Sequence, residues 1–312
     1  MLCISPFILL VVNSWIIIWL ILEISSMSFV IFIVVRSSKN KNDWGIIYFL
    51  IQVLGSVFLL YSFMYNEITF FVIKYFNICL FLIIVSVLLK LGIFPFHFWL
   101  IKLTLLINFK EIYLLLIIQK LAPLWLVSSF YIKLLILVSL VGIAIRTIIQ
   151  FSVMRIILLI VLSSITHIRW IIIGRVKNFI NLLLYYFFYR LILFCLIEYL
   201  YKFISHSIFI IYGKILSIVI IGVIIYSLAG IPLLLGFLPK WVIFYSLLII
   251  EEFYVIIFFI FFARINFYIY NRLLYNFFLI LGEIKIFNKK FLEKKWSLVI
   301  NFLFPFNLLI IY

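Results

Sequence analysis

Acidic residues are scarce in this chain of 312 residues. It has 9 Asp and Glu against 25 Lys and Arg, which gives a formal net charge of +16. A strongly basic balance can indicate nucleic-acid binding. Here most of the lysines and arginines stand in short loops between long apolar runs, which is typical of membrane topology. We therefore expect no nucleic-acid partner.

Cysteine and histidine are also too few and too scattered to form a metal site. The chain has three cysteines, which lie far apart in apolar surroundings: Cys3, Cys79 and Cys195. The three histidines show no ligand spacing either: His97, His167 and His206. Without a CxxC pair or a Cys/His cluster, neither a disulfide framework nor a structural metal is expected.

Apolar residues dominate the composition. They make up 69% of the chain, and the mean hydropathy is +1.43. A soluble domain is about half apolar, so this excess cannot be buried inside one globule. Continuous apolar runs of about 20 residues recur along the whole length, which is the length that crosses a bilayer as a helix. The predicted fold is an all-α, polytopic transmembrane helical bundle.

We predict one membrane domain, 1–312, with eleven spans of which the first is partial. The spans lie at about 1–12, 13–35, 45–65, 76–100, 112–130, 134–151, 156–174, 179–200, 215–238, 253–271 and 297–312. Residues 272–296 are predicted to be a polar interfacial connection. The loops after the even-numbered spans carry fourteen Lys and Arg, and the alternate loops carry only four. This bias places the N-terminus on the inner side and the C-terminus outside.

Four ionisable residues interrupt the apolar runs far from any loop: Glu23, Lys90, Lys120 and Lys240. A lysine at the centre of a membrane helix costs about 2.5–3.5 kcal/mol on insertion scales. One such residue is explained by snorkelling toward a helix end. Four of them, on different helices, favour a function. An ammonium group in low dielectric has its pKa lowered toward neutrality, so a row of buried lysines can take up and release protons.

Glycine and proline stand next to the three lysines. Gly92 and Pro95 follow Lys90, Pro123 follows Lys120, and the segment 230–239 precedes Lys240. Proline removes a backbone donor and clashes with the preceding turn, so these positions predict discontinuous helices. Broken helices beside buried charges are typical of ion paths in transporters, although a packing kink has the same sequence signature.

Seven short segments then suggest a family. They are "LEI…S…SF" (22–29), "YFLIQ" (48–52), "KLGIFPFHFW" (90–99), "QKLAP" (119–123), "SSITH" (163–167), "GIPLLLGFLPKW" (230–241) and "YNRLLY" (270–275). In their order and spacing they resemble the mitochondrial NADH dehydrogenase subunit 2 family, the antiporter-like membrane subunits of respiratory complex I. The resemblance implies an antiporter-like bundle of about 11 helices.

The resemblance also implies roles for single residues. The family's buried glutamate falls on Glu23, and its axial lysines fall on Lys90, Lys120 and Lys240. Glu23 and Lys90 would form the pair that gates the proton, and Lys120 would relay it to Lys240. His167 is a further relay candidate, with a hydrogen-bonded helix histidine as the alternative.

The sequence departs from the family pattern at several positions. Lys102 stands where the family has a Pro-Glu pair after "HFW", and "GIPL" replaces the family's "GLPP" turn. Arg169 stands where the family has glycine. None of these is one of the four Lys and Glu positions.

The function implied by the resemblance is proton translocation coupled to electron transfer from NADH to ubiquinone, as a subunit of NADH:ubiquinone reductase. FMN, iron–sulfur clusters and ubiquinone are expected in partner subunits, with no redox centre in this chain. The expected partners are other membrane-arm and accessory subunits and lipids such as cardiolipin. The expected location is the mitochondrial inner membrane, with the N-terminus in the matrix and the C-terminus in the intermembrane space. The alternatives are a subunit of a multisubunit cation/proton antiporter and a non-pumping structural subunit.

Overall fold

Helices account for all the regular secondary structure in the described part of the chain. The structure is a computed structural model, and it describes residues 4–9, 12, 14–36, 42–68, 73–127, 132–153, 155–174, 179–205, 211–232, 234–249 and 251–286. No strand occurs within these ranges. The prediction of an all-α bundle is therefore confirmed.

The helices follow one another in a simple order. They are α1 (Ser5–Ile8), α2 (Trp15–Arg36), α3 (Asn42–Ile68), α4 (Ile73–Leu91), α5 (Phe98–Thr104), α6 (Phe109–Tyr113), a π-helical segment (Leu114–Ile118), α7 (Gln119–Val127), α8 (Ile132–Ser152), α9 (Ile156–Gly174), α10 (Phe179–Ser205), α11 (Ile211–Ala229), α12 (Phe237–Ile249) and α13 (Phe253–Ile286).

Five of these helices contain a continuous apolar stretch long enough to cross a membrane. The stretches are Trp15–Val35, Gly45–Tyr65, Ile156–Gly174, Phe179–Lys202 and Phe253–Tyr275. Shorter apolar stretches occur in α4, α8, α11 and α12. Where each helix enters and leaves the bilayer stays a prediction. The predicted connection 272–296 begins inside α13, which continues to Ile286, and the predicted span 297–312 lies outside the described residues.

Two of the three predicted helix breaks are present. The run 76–100 is divided, because α4 ends at Leu91 and α5 begins at Phe98. Gly92 follows with φ +64, a left-handed conformation that glycine adopts without a steric penalty. The second break lies between α11 and α12, where Gly230 has φ +82. The discontinuous helices inferred from glycine and proline are therefore confirmed at these two places, whereas Pro123 lies inside the continuous helix α7 and does not end it.

Helix α9 is the central element of the bundle. In its apolar stretch 83% of the residues are buried, against 28–44% in the other four long stretches. It packs against α5, α8, α10 and α12. A helix apolar on all sides and buried on all sides is one surrounded by other helices. The polar side chains of α9 therefore face protein rather than lipid.

Candidate functional site

The three predicted lysines are all buried beside irregular backbone. Lys90 is 4% exposed, Lys120 is 2% exposed and Lys240 is 8% exposed. Lys90 lies in the last turn of α4, and Lys240 lies in the first turn of α12. Lys120 lies at the start of α7, directly after the π-helical segment. Each ammonium group thus stands where a helix ends, begins or changes its hydrogen-bonding pattern.

Helix α3 leaves space for the Lys90 side chain at a glycine. A Cβ at Gly55 of α3 would lie 3.1 Å from Lys90 Cγ, so the lysine stem packs against a glycine surface. Its ammonium nitrogen has no hydrogen-bond partner among the described residues. The half-buried Glu23 acts electrostatically on Lys90, but within those residues the two form no ion pair. The structure therefore places Glu23 within electrostatic reach of Lys90, but their side chains are not in ion-pair contact.

A hydrogen-bonded glutamine connects this region with α7. Tyr48 Oη donates to Gln119 Oε1 at 3.2 Å, and Gln119 Nε2 donates to the Ser25 carbonyl at 3.1 Å. The charge of Glu23 also acts on the phenol of Tyr48. Because Gln119 directly precedes Lys120, the network joins α2 and α3 to the helix that carries the second lysine. Sequence reasoning missed both roles, although "YFLIQ" and "QKLAP" contain the two residues.

Lys120 is held by a neutral hydroxyl group. Its Nζ donates to Ser164 Oγ at 3.0 Å, and that hydroxyl donates to the Val161 carbonyl at 2.6 Å. The helix is irregular on both sides of Lys120. Pro123 lies inside α7, and the Ile117 carbonyl of the π-helical segment accepts a hydrogen bond from Tyr186 Oη at 2.7 Å. Single π-helical turns within α-helices occur frequently at functional sites.

His167 lies one helical turn after Ser164, on the same face of α9. A hydrogen bond of 2.8 Å joins its Nδ1 to Tyr185 Oη, and its ring stacks on Tyr189 with centroids 4.8 Å apart. The charge of Lys240 acts on this imidazole. His167 is thus a hydrogen-bonded helix histidine that also lies between Lys120 and Lys240, so its role as a relay stays a prediction.

Lys240 is held by the free carbonyls at the end of α11. Its Nζ donates to the Leu228 carbonyl at 3.0 Å and to the Ala229 carbonyl at 2.6 Å. These carbonyls belong to the last turn of the helix, which carries the negative end of the helix dipole. Gly230 ends the helix there, and a Cβ at this position would lie 2.6 Å from Nζ. The break between α11 and α12 therefore forms the binding site of the Lys240 ammonium group.

Comparison with known proteins now assigns the chain to a family. Residues 12–266 match the family described as NADH:quinone oxidoreductase/Mrp antiporter, TM. The chain belongs to this family. It is 32% identical to NADH-ubiquinone oxidoreductase chain 2 of Rhipicephalus sanguineus, over 93% of this chain and 92% of that protein. It is 29% identical to the protein of the same name from Anopheles gambiae, over 93% of this chain and 85% of that protein. The resemblance to the subunit 2 family is thereby confirmed.

The fold agrees with that of a chain in a solved structure. A chain of respiratory complex I from Thermus thermophilus superposes with a TM-score of 0.70 at 17% identity, over 83% of this chain and 64% of that one. This chain therefore spans less than two thirds of the length of the bacterial chain. At this identity the superposition establishes the fold, and it confirms the predicted antiporter-like bundle.

Two further buried cations lie in the interior of this NADH:quinone oxidoreductase/Mrp antiporter family member, and the charge of one of them acts on His167. Arg146 donates to Asn266 Oδ1 at 3.3 Å, and Arg169 donates to the Ser139 carbonyl at 3.2 Å. The Arg169 guanidinium occupies the place that a Cβ at Gly142 would take. The charge of Arg146 acts on both Arg169 and His167. The sequence shows these arginines inside apolar runs, which is the signal that they belong to the charged interior.

The chemistry available to this arrangement is proton transfer. The site offers three ammonium groups, an imidazole, a carboxylate and hydroxyl groups that both donate and accept hydrogen bonds. In the described part of the chain, no three or more His, Cys, Asp or Glu side chains are arranged to hold a metal ion.

Proposed function

We propose that this chain is a proton-translocating membrane-arm subunit of respiratory complex I. The proposal depends chiefly on one observation: ionisable groups of five helices follow one another from the half-buried Glu23 and the buried Lys90, through Lys120 and His167, to Lys240. The matched family and the curated relatives support the same function. The roles of the single residues within the row are proposals.

The first step in this mechanism is the closing and opening of the pair formed by Glu23 and Lys90. Two unit charges about 4 Å apart attract each other by roughly 4 kcal/mol at an effective dielectric constant near 20. In the structure Lys90 Nζ lacks a hydrogen-bond partner among the described residues, so the open arrangement leaves a buried charge unsatisfied. Closing the pair satisfies it and thereby changes how strongly the next lysine holds its proton.

The second step passes the proton along α9. Ser164 accepts a hydrogen bond from Lys120 and lies one turn from His167, so its hydroxyl is placed to exchange protons between them. A serine hydroxyl both donates and accepts, which a relay position requires. The charge of Lys240 acts on the imidazole of His167. The gain or loss of a charge at Lys240 therefore feeds back on the imidazole.

The redox chemistry belongs, in this proposal, to partner subunits that carry FMN, iron–sulfur clusters and the ubiquinone site. The partners of this chain are other membrane-arm subunits and accessory subunits of the complex, with lipids such as cardiolipin around them. The location is the mitochondrial inner membrane, with the N-terminus on the matrix side. The names of the relatives and the apolar helices support a membrane location in the respiratory complex, and the basic loops of the sequence support the orientation.

Substitution of Lys90 by methionine tests the proposal. The variant keeps the length of the stem and removes the charge. Proton pumping per NADH oxidised is measured in sealed vesicles with the assembled complex, after assembly has been checked on a native gel. We expect pumping to collapse and coupled turnover to fall with it. The matched control is Lys102→Met, because Lys102 is an exposed lysine outside the row.

The result of the same experiment separates the alternatives. Unchanged pumping in Lys90→Met indicates a structural subunit with an idle channel. Proton movement that is driven by a sodium gradient and needs no NADH indicates a cation/proton antiporter subunit. This second function is less favoured, because both relatives named above are NADH-ubiquinone oxidoreductase chains.

A further inference from the structure

Helix α13 carries an arginine at the middle of its apolar stretch. Arg264 stands eleven residues after Phe253 and eleven residues before Tyr275, the two ends of that stretch. Eleven residues of α-helix rise about 16 Å, which is close to half of a hydrocarbon core about 30 Å thick. A bilayer that matches the stretch therefore has the Arg264 backbone near its mid-plane. The proposed proton path does not use this residue.

The Arg264 side chain points away from the bundle. It is exposed in the chain itself. Two residues later, Asn266 accepts a hydrogen bond from the buried Arg146 of α8. Residues two positions apart are about 200° apart around an α-helix, so Arg264 lies on the face opposite Asn266. Within the described residues, Arg264 forms neither an ion pair nor a hydrogen bond.

Arg190 of α10 shows how the chain treats a similar arginine. It is also exposed, and it stands near the middle of the apolar stretch Phe179–Lys202. Its Nε donates to Tyr113 Oη at 3.4 Å, so the chain itself supplies a partner. An arginine does not lose its proton in a protein, and a charge at the centre of a bilayer is costly unless it is paired. Arg264 therefore needs a partner that the described residues do not supply.

Lipid does not supply this partner at the depth of Arg264. Long basic side chains reach the membrane interface from positions near helix ends, whereas Arg264 is central. The phosphate groups of lipids lie in the headgroup layer, outside the hydrocarbon core. The anion that pairs with Arg264 is therefore a protein carboxylate.

The acidic residues of this chain that are nearest in sequence lie far along the helix axis. Glu252 stands twelve residues before Arg264 and Glu283 stands nineteen after it, which correspond to about 18 and 28 Å. Glu293 belongs to the predicted interfacial connection, and the predicted last span, 297–312, contains no Asp or Glu. The carboxylate therefore comes from another chain.

Exposed residues on both sides of Arg264 are spaced for contact with a second helix. Counted from Tyr254, they recur at steps of three, four, three, four and seven residues. We call this surface the outer face of α13, and it consists of Tyr254, Ile257, Phe261, Arg264, Tyr268 and Tyr275. Alternating steps of three and four keep one stripe against a partner helix, and a single polar residue within the stripe fixes the register of the two helices.

We propose that the outer face of α13 binds one membrane helix of another subunit, and that an Asp or Glu of this helix pairs with Arg264. The guanidinium group matches a carboxylate with two parallel hydrogen bonds, which makes arginine the preferred cation of interface ion pairs. A carboxylate also balances the positive charge, which a neutral acceptor does not. The inference rests on the proposed function in one respect, since it needs a complex of several membrane subunits.

The experiment treats the assembled complex of the Arg264→Lys variant with dicyclohexylcarbodiimide. The reagent activates a carboxyl group, an amine in ion-pair contact forms an amide with it, and the carboxyl oxygen leaves with the reagent as dicyclohexylurea. Mass spectrometry then locates the linked residues. We expect residue 264 to be joined to an Asp or Glu of another subunit. The ion pair of Lys202 and Glu198, at 2.7 Å, is the internal positive control for the reaction.

The Arg264→Leu variant tests whether the pair contributes to assembly. It leaves the partner carboxylate without a cation, so we expect about tenfold less assembled complex on a native gel, which corresponds to about 1.4 kcal/mol. Arg264→Lys keeps the charge and should assemble as the parent does. The matched control is Ile257→Leu, which conserves volume two turns earlier on the same face and should leave the yield unchanged. If Arg264 faced lipid, the leucine variant would gain stability instead, because leucine is more favourable than arginine in hydrocarbon.

Three results overturn the proposal. The first is the absence of a link at residue 264 in a sample in which Lys202 and Glu198 are joined. The second is a link from residue 264 to an acid of this chain, because the chain itself then covers the outer face of α13. The third is an Arg264→Leu variant that assembles as well as the parent.

Neither the link nor the native gel depends on NADH oxidation. A complex that forms the link but pumps normally in Lys90→Met contradicts the proposed function and leaves this inference standing. A complex that loses pumping in Lys90→Met but forms no link at residue 264 does the reverse.

Discussion

Replacement of Gly230 by alanine tests whether the break after α11 creates the binding place of Lys240. The backbone at Gly230 has φ +82, where a residue with a Cβ pays about 1–2 kcal/mol. The added Cβ would lie 2.6 Å from Lys240 Nζ, 2.7 Å from Cδ and 3.0 Å from Cε. The lysine side chain must therefore move away from the end of α11.

The size of the effect follows from the contacts that this movement breaks. Lys240 donates to the carbonyls of Leu228 and Ala229, at 3.0 and 2.6 Å. Hydrogen bonds to a charged group contribute about 1.5–3 kcal/mol each. Since about 1.4 kcal/mol changes a rate tenfold, the loss of one bond from the working state slows proton transfer by more than about tenfold. The backbone cost adds a loss of stability of about 1–2 kcal/mol.

Gly222→Ala is the matched control on the same helix. A Cβ at Gly222 meets only Leu274 Cδ2, at 3.5 Å, which is an ordinary contact. Alanine in a helix interior is more stable than glycine by about 0.5–1 kcal/mol, so this variant should assemble and pump as the parent does. The assay is NADH-driven proton uptake or release in sealed vesicles, with assembly checked on a native gel. If Gly230→Ala assembles and pumps as well as Gly222→Ala, then the break does not position Lys240 and the argument is wrong.

Two other predictions concern α9. Ser164→Ala removes the hydroxyl that accepts from Lys120, so we expect about a tenfold slower NADH-driven pumping, whereas Ser62→Ala, whose hydroxyl bonds its own helix, should pump normally. Equal rates in the two serine variants contradict the relay. Gly142→Ala places a Cβ inside the Arg169 guanidinium, and overpacking of this kind costs about 1–3 kcal/mol, so the yield of assembled complex on a native gel should fall. The double variant with Arg169→Leu should recover that yield, and no recovery contradicts the packing argument.

The helices and their breaks were predictable because their causes are local in sequence. A continuous apolar run predicts a helix in lipid, and Gly92 and Gly230 have a left-handed backbone at the two helix breaks. The π-helical segment Leu114–Ile118 was not predictable. Its five residues are leucine and isoleucine, which carry no local signal for a change in hydrogen bonding. Its irregular backbone depends on a distant residue, since Tyr186 of α10 donates to the Ile117 carbonyl.

The candidate site also has features that could be predicted from the sequence and features that could not. A charged residue inside an apolar run is visible in the sequence, so the positions of Lys90, Lys120 and Lys240 were predicted, while their roles stay predictions. Their partners were not visible. Ser164 is one of several serines in α9 and α8, and only the packing of α7 on α9 selects it. The acceptors of Lys240 are backbone carbonyls, which every residue possesses, so only the geometry of the break identifies them.

In the proposed proton path, the partners of the three lysines indicate which lysine releases its proton first. Lys120 is held by a hydroxyl and Lys240 by carbonyls, so within the described residues neither faces a carboxylate in an ion pair. Removing one partner of a buried ion pair costs about 3–5 kcal/mol, and a lysine bound to a permanent carboxylate would therefore keep its proton. A hydroxyl or carbonyl acceptor carries no charge, so loss of the proton from Lys120 or Lys240 leaves no unpaired negative charge beside the lysine. Lys90 differs, because the charge of Glu23 acts on it and its own nitrogen is unsatisfied. A movement of Glu23 relative to Lys90 therefore changes the electrostatic energy of the lysine more than an equal movement of the Lys120 or Lys240 partner does. In the proposed path, the proton transfers should accordingly start at Glu23 and Lys90.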